Sequence, residues 1–284
     1  MNPYVAHGAL QIFNVDHGAC ALFTVPTPGG RHHVLIDCGH SADYQGAAWY
    51  PGSQLRSQGI THLDLLLITN YDEDHMSGAR NLREQGISVA QIFGNPTVSP
   101  ATIRHLKEEN GMGVGTEVIV TSLSERLARN EPQYLPQVPG LEITCFFNPW
   151  PFWTDENNLS VVSYLSYRGT NFLFTGDMER KGMLNLLANE NFSNLLPSVH
   201  VLMAPHHGRE NGRCPEMFDA HGCRPQVILI SDCAKRHQSQ ETSTFYGSKA
   251  IGIPFRKQTR RTVLTTRNDG YMKFLFRDDG CFVD

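Results

Sequence analysis

The sequence predicts an α/β sandwich: two mixed β-sheets packed face to face with helices on the outside, residues 1–284 forming one domain. Three observations carry this. Short apolar runs of strand length alternate with turn signals and with stretches of helical spacing, first in the opening third and again in the second half. Some runs, such as "LDLLLIT", are apolar without alternation, as strands buried on both faces are. No long linker, fixed-period repeat or low-complexity tract divides the chain. Strands that feed helices in two halves pack as layered sheets with helical cover.

Taken in order, "ALQIFNV", "CALFTV" and "HHVLIDC" read as strands, separated by the turn signals "DHGA" and "PTPGGR". "GAAWYPGSQLRSQG" breaks at Pro51-Gly52 and resumes as a helix. "LDLLLIT" is a buried strand, "MSGARNLREQG" a short helix stopped by Gly86, and "VAQIFG" the next strand. "PATIRHLKEENG" reads as a helix with Pro100 in its first turn and Gly111 near its stop. "EVIVTS" reads as a strand, and the proline-bearing "NEPQYLPQVPG" as a loop. Strands return in "LEITCFF", "LSVVSYLSY" and "TNFLFTG", followed by a helix in "MERKGMLNLLANE". "SVHVLMAP", "PQVILIS", "TVLTT" and "YMKFLF" complete the strand set.

A formal charge of −4 rules out a general polycation, so any nucleic-acid contact must use a local patch. The seven cysteines include no C-x-x-C pair, which excludes a zinc ribbon; their odd number argues against a disulfide framework. They read as free, mostly buried thiols in a reducing compartment. No signal peptide and no apolar run near the ~20 residues of a membrane span is present, so a cytoplasmic location is expected.

Metal-ligand residue types gather where predicted strands end. Asn70, Asp72, Asp74 and His75 follow "LLLIT"; Asp177 follows "FLFTG"; His206 and His207 follow "VLMAP"; Asp232 and His237 follow "VILIS". Loops at the ends of buried strands converge on one edge of a sheet. Carboxylates and neutral imidazoles both bind divalent cations, and a cation explains how acids crowded into "NYDEDH" stay ionised together.

The ordered set "TNYDEDHMSG", "FLFTGDME" and "LMAPHHG" resembles the metallo-β-lactamase superfamily, and within it the ComEC-type branch of competence nuclease domains and phosphorylcholine esterases. "NVDHGACALF", "VLIDCG" and "ENNLSVV" support the resemblance, which runs from about Leu10 to Tyr271. It implies the αββα metallo-β-lactamase fold and a centre of one or two divalent ions, zinc or manganese with magnesium as a further option. In the implied dinuclear arrangement, Asn70, Asp72 and one of His206 and His207 hold one ion. His207 is the preferred ligand of that pair, with His206 behind it or donating a proton. Asp74, His75 and a later ligand, His237, hold the other ion, with Asp177 bridging. Asp72 or Asp74 orients a metal-activated water. Asn70 stands where the branch writes its first histidine. Three consequences follow as alternatives: a preference for harder ions than zinc, one firm and one substrate-dependent ion, or lost catalysis.

The expected function is therefore a metal-dependent phosphodiesterase or nuclease acting on a phosphoester, a nucleic acid or a nucleotide. Lys235 and Arg236, with Arg256, Lys257, Arg260 and Arg261, form a candidate anion-binding rim, and Trp49, Tyr50, Trp150, Phe152 and Trp153 are candidate stacking residues. Hydrolysis of a lactone, thioester or β-lactam is the alternative on the same fold, and a non-catalytic degenerate member is the other.

Overall fold

The computed structural model describes residues 7–44, 46–109, 111–233 and 242–284. Strand alternation builds the layers. In Gly30–Ile36, Val34 and Ile36 join one apolar cluster and Leu35 another; in His62–Leu67, Leu65 and Leu67 part from Leu66 in the same way. Both faces of such a sheet are apolar, and both require cover.

Among the described residues the first sheet has seven strands, in the order Gly280–Val283, Met272–Arg277, Ala9–Ile12, Ala21–Thr27, Gly30–Ile36, His62–Leu67 and Ser88–Phe93. The last three pair in parallel and the remaining pairs are antiparallel. The second sheet has six, in the order Val263–Thr265, Val227–Ile230, Val201–Met203, Thr170–Phe174, Val161–Tyr167 and Leu141–Phe147. Its first four are parallel and its last three antiparallel. Both sheets are mixed, as expected.

The sheets share one core. Leu10, Phe23, Val34 and Leu65 of the first meet Leu165, Phe172, Val201 and Leu229 of the second. Phe172 stands edge-on to Phe23 and Phe274, with centroids 6.1 and 5.5 Å away. Helices Pro51–Ser57, Ala79–Glu84 and Val114–Ala128 cover the outer face of the first sheet through Leu55, Leu82, Ile119 and Leu123. Met183, Leu186 and Leu187 of Arg180–Leu187, with Tyr246 of Ser243–Lys249, cover the second. Each such side chain removed from water contributes about 1.5–3 kcal/mol. Among the described residues no helix is long and apolar enough to cross a membrane, and no disulfide joins the cysteines.

The edge strand Gly280–Val283 was not read from the sequence, and one element that was read changes type. "EVIVTS" is not a strand but the middle of the helix Val114–Ala128. Its β-branched residues favour extended backbone locally. Burial decides otherwise: Gly115, Thr116, Ile119, Val120 and Leu123 recur at helical spacing and share one buried face. The helix is also held from outside at its start, where Glu73 accepts from the N–H groups of Gly115 and Thr116 at 2.8 and 2.9 Å.

The sheets are joined where their parallel strands end. Val161 N–H donates to the Thr69 carbonyl at 2.8 Å, and Ser231 Oγ donates to the Gly18 carbonyl at 2.6 Å. The segments after His62–Leu67, Thr170–Phe174 and Val201–Met203 thereby meet at one edge of the sandwich. That is the place where strand carboxyl ends usually offer polar groups to a ligand.

Candidate metal centre

Asp74, His75, Asp177 and His207 each direct one ligand atom to a common point, with these atoms all within 4.8 Å of one another. His75 Nε2 lies 3.0 Å from Asp177 Oδ1, and His207 Nε2 lies 3.3 Å from both Asp177 Oδ1 and Asp74 Oδ2. Donors bound about 2.0–2.1 Å from a tetrahedral zinc sit roughly 3.3 Å apart, so the spacing suits a single ion. Both imidazoles are aimed from behind. His75 Nδ1 is 2.8 Å from Asp37 Oδ2, and His207 Nδ1–H donates to the Ser231 carbonyl at 2.9 Å. These contacts leave each Nε2 facing the centre. His207 Nε2 is buried between the Asp74 and Asp177 carboxylates, an arrangement that a cation would complete.

Local backbone puts the donors in place. Asp74 and His75 lie on the short helix Glu73–Met76. That turn is pressed against the preceding hairpin: Ala19 N–H donates to the Asp74 carbonyl and Cys38 N–H to the His75 carbonyl. A Cβ at Gly39 would meet the Asp74 carbonyl oxygen at 2.3 Å, so only glycine allows this approach. Asp177 N–H donates to Ser160 Oγ at 3.1 Å. His206 and His207 both adopt left-handed backbone, with φ of 49° and 52°. Asp37 does so too, at 54°. Such conformations cost an L-residue about 1–2 kcal/mol each, although aspartate and histidine tolerate them better than most.

The charges explain the acid cluster in the absence of a cation. Burial opposes protonation of His75, yet the charges of Asp177 and Asp37 hold it well above its usual range. Burial likewise opposes protonation of His207, but Asp177 and Asp74 bring it to about 10. Burial disfavours ionised Asp74, and the His207 hydrogen bond with the charges of both imidazoles outweighs this, lowering it to about 2. Asp177 lies well below its usual range for the same reason. Protons on the two imidazoles thus supply the positive charge that a bound ion would replace.

Three further groups flank the cluster. The His17 ring lies tilted against His207, with centroids 4.4 Å apart, and its Nε2 is 3.8 Å from Asp74 Oδ2. Burial, reinforced by His207, lowers it to about 4. His206 Nε2 is 3.8 Å from Asp177 Oδ2, and burial lowers this imidazole also, against the pull of Asp177. Arg209 donates to His17 Nε2 at 2.7 Å and lies 3.4 Å from His206 Nε2.

The chain matches the family model of the metallo-beta-lactamase superfamily over residues 14–197, most of its length and all of the first two motif loops. The chain belongs to the metallo-beta-lactamase superfamily. That family consists largely of metallo-hydrolases that use divalent ions, typically zinc. Among curated proteins, the chain is similar to ComE operon protein 3 of Bacillus subtilis (strain 168), at 24% identity over 241 residues, 80% of this chain. It spans only 28% of that relative's length. Solved structures of similar fold include a putative Zn-dependent hydrolase of the superfamily from Thermotoga maritima (11% identical, 90% and 97% of the two chains covered, TM-score 0.44). Another is a diphosphatase of the PhnP family (11% identical, 93% and 96% covered, TM-score 0.43).

Against that family pattern, the other residues singled out from sequence fall as follows. Asn70 is buried, but its Oδ1 accepts from Asp72 N–H at 2.7 Å and its Nδ2 donates to Ser160 Oγ at 3.0 Å. Asp72 forms an ion pair with Lys107. Asp232 pairs with Arg267 at 2.6 Å. Arg260 donates to the Ile251 carbonyl, Arg256 to the Asp269 carbonyl and Arg261 to the Asp269 carboxylate. Phe152 is largely exposed, while Trp49, Trp150 and Trp153 pack on the outer apolar cluster. Lys235, Arg236 and His237 lie outside the described residues. Sequence reading did not single out Asp37, His17, Lys107 or Arg209. Asp37 and His17 sit inside "VLIDCG" and "NVDHGACALF", quoted only as fold markers. Nothing local marks Lys107, whose role depends on a contact 35 residues away in sequence.

Proposed function

We propose that this chain is a metal-dependent hydrolase of phosphodiesters, a phosphodiesterase or nuclease, built as one domain. The observation that carries the reading is the four-donor cluster with a fixed guanidinium, Arg209, beside it. An anionic phosphoester suits that pairing of cation site and arginine better than a neutral lactone does. The likeness to ComE operon protein 3 supports the same class, since the three motif loops resemble the ComEC-type branch.

Asp74, His75, Asp177 and His207 would hold the ion, zinc or manganese. When bound, it supplies a polarised water and charge neutralisation at a phosphoryl oxygen. Asp37 and the Ser231 carbonyl keep the two ligand imidazoles oriented. Arg209 holds a non-bridging phosphate oxygen and fixes the substrate against the cluster. His206, on the Asp177 and Arg209 side, passes a proton to the departing oxygen; the negative charge of an arriving phosphodiester favours its protonated form.

The test is a substrate panel of bis-p-nitrophenyl phosphate, a lactone and nitrocefin, each with added manganese or zinc. Turnover of the phosphodiester, lost in Asp177→Ala together with metal uptake, is expected. Turnover confined to the lactone or nitrocefin, or undiminished activity in Asp177→Ala, overturns the proposal.

A further inference from the structure

The resemblance assigns Asn70 and Asp72 to a first metal ion, yet both side chains are already engaged by the protein. Asn70 is 1% exposed and uses its oxygen on Asp72 N–H and its nitrogen on Ser160 Oγ. An amide turned this way is a tie between the motif loop and the second sheet. Asp72 Oδ1 meets the Lys107 ammonium, which also meets Glu156 Oε2. Lys107 is only 7% exposed, unusual for a lysine and tolerable because two carboxylates surround its charge. It follows directly on the helix Pro100–Leu106, where its own N–H bonds to the carbonyls of Ile103 and Arg104, so the ammonium is delivered from a fixed base.

Deepening the hydrolase reading and resting on it, we propose that the centre is mononuclear: one divalent ion sits among Asp74, His75, Asp177 and His207, and Lys107 supplies beside Asp72 the positive charge of the missing second ion. The physics is one of exclusion as well as substitution. A divalent ion placed on Asp72 would have to displace the ammonium from two carboxylates and then stand next to it. With Asn70 also committed, both residues that the resemblance gives to that position already have protein partners.

Metal stoichiometry tests this independently of activity. The protein is stripped with a chelator, reloaded with excess manganese or zinc, desalted, and analysed for metal per chain, with affinity from calorimetry. One equivalent is expected. Asp72→Asn should keep that equivalent and its affinity, whereas loss even of an outer partner of a ligand costs about 10–100-fold. Lys107→Met, which keeps the apolar stem, should melt lower than wild type without metal and take up a second equivalent that restores its melting temperature. Two equivalents in wild type, loss of metal in Asp72→Asn, or a Lys107→Met protein that folds, melts like wild type and still takes one equivalent overturns the mononuclear assignment and leaves the hydrolase reading standing. No metal in wild type overturns both. Because the wild-type and Asp72→Asn counts decide the question, a Lys107→Met protein that fails to fold does not block it.

Discussion

At the scale of single residues, the proposed centre depends on groups that would not touch an ion. Asp37 orients His75 through Nδ1 at 2.8 Å and also accepts from Thr69 N–H at 2.7 Å, so one carboxylate aims a ligand and holds the loop that carries it. Asp37→Asn keeps the shape but weakens the acceptor. The expected result is a fall of about 10–100-fold in metal affinity, read by calorimetry, with little change in the circular dichroism spectrum. The four residues of the donor cluster were legible in the sequence because acids and histidines stood at strand ends. Their partners were less so: an aspartate in "VLIDCG" looks like any turn residue until the fold brings His75 to it.

At the scale of elements, the motif loop and the helix Val114–Ala128 stabilise each other. Glu73 interrupts the ligand sequence, and its side chain turns away from the centre to accept from Gly115 N–H, Thr116 N–H and Thr116 Oγ1. Removing it in Glu73→Ala leaves the first N–H groups of the helix short of an acceptor. A loss of about 1–2 kcal/mol is expected in urea unfolding, with metal affinity also reduced because Asp74 is the next residue. The same element shows where sequence reading fails. All strands of both sheets except the edge strand Gly280–Val283 were visible through their apolar runs, which report burial directly. "EVIVTS" carries the same residue types, but the face that its neighbours Gly115 and Leu123 complete, and the distant cap that anchors it, appear only in three dimensions.

At the scale of the whole molecule, donors from three strand ends in two sheets meet at a single point. The unfolded chain has no such site, so an ion held there would bind the native state and stabilise it. At a free metal concentration 100 times Kd, the gain is about 2.7 kcal/mol. For domains of 150–250 residues each kcal/mol raises Tm by about 2–4 °C, and a chain of this size should respond on a similar scale. Scanning calorimetry with and without chelator measures it, and identical melting curves would show that the donors do not act together. This convergence also explains what the sequence could give: the order of the loops points to the superfamily, whereas the contacts of Arg209 with His17 and of Lys107 with Asp72 follow from packing.

The paired left-handed histidines have a consequence for how the protein can change. His206 is buried with Nδ1 lacking a hydrogen-bond partner, in a backbone bend that glycine would adopt freely. Selection of random variants for heat resistance alone would discard this imidazole early, and if His206 passes the proton as proposed, the sturdier descendants would be poorer catalysts.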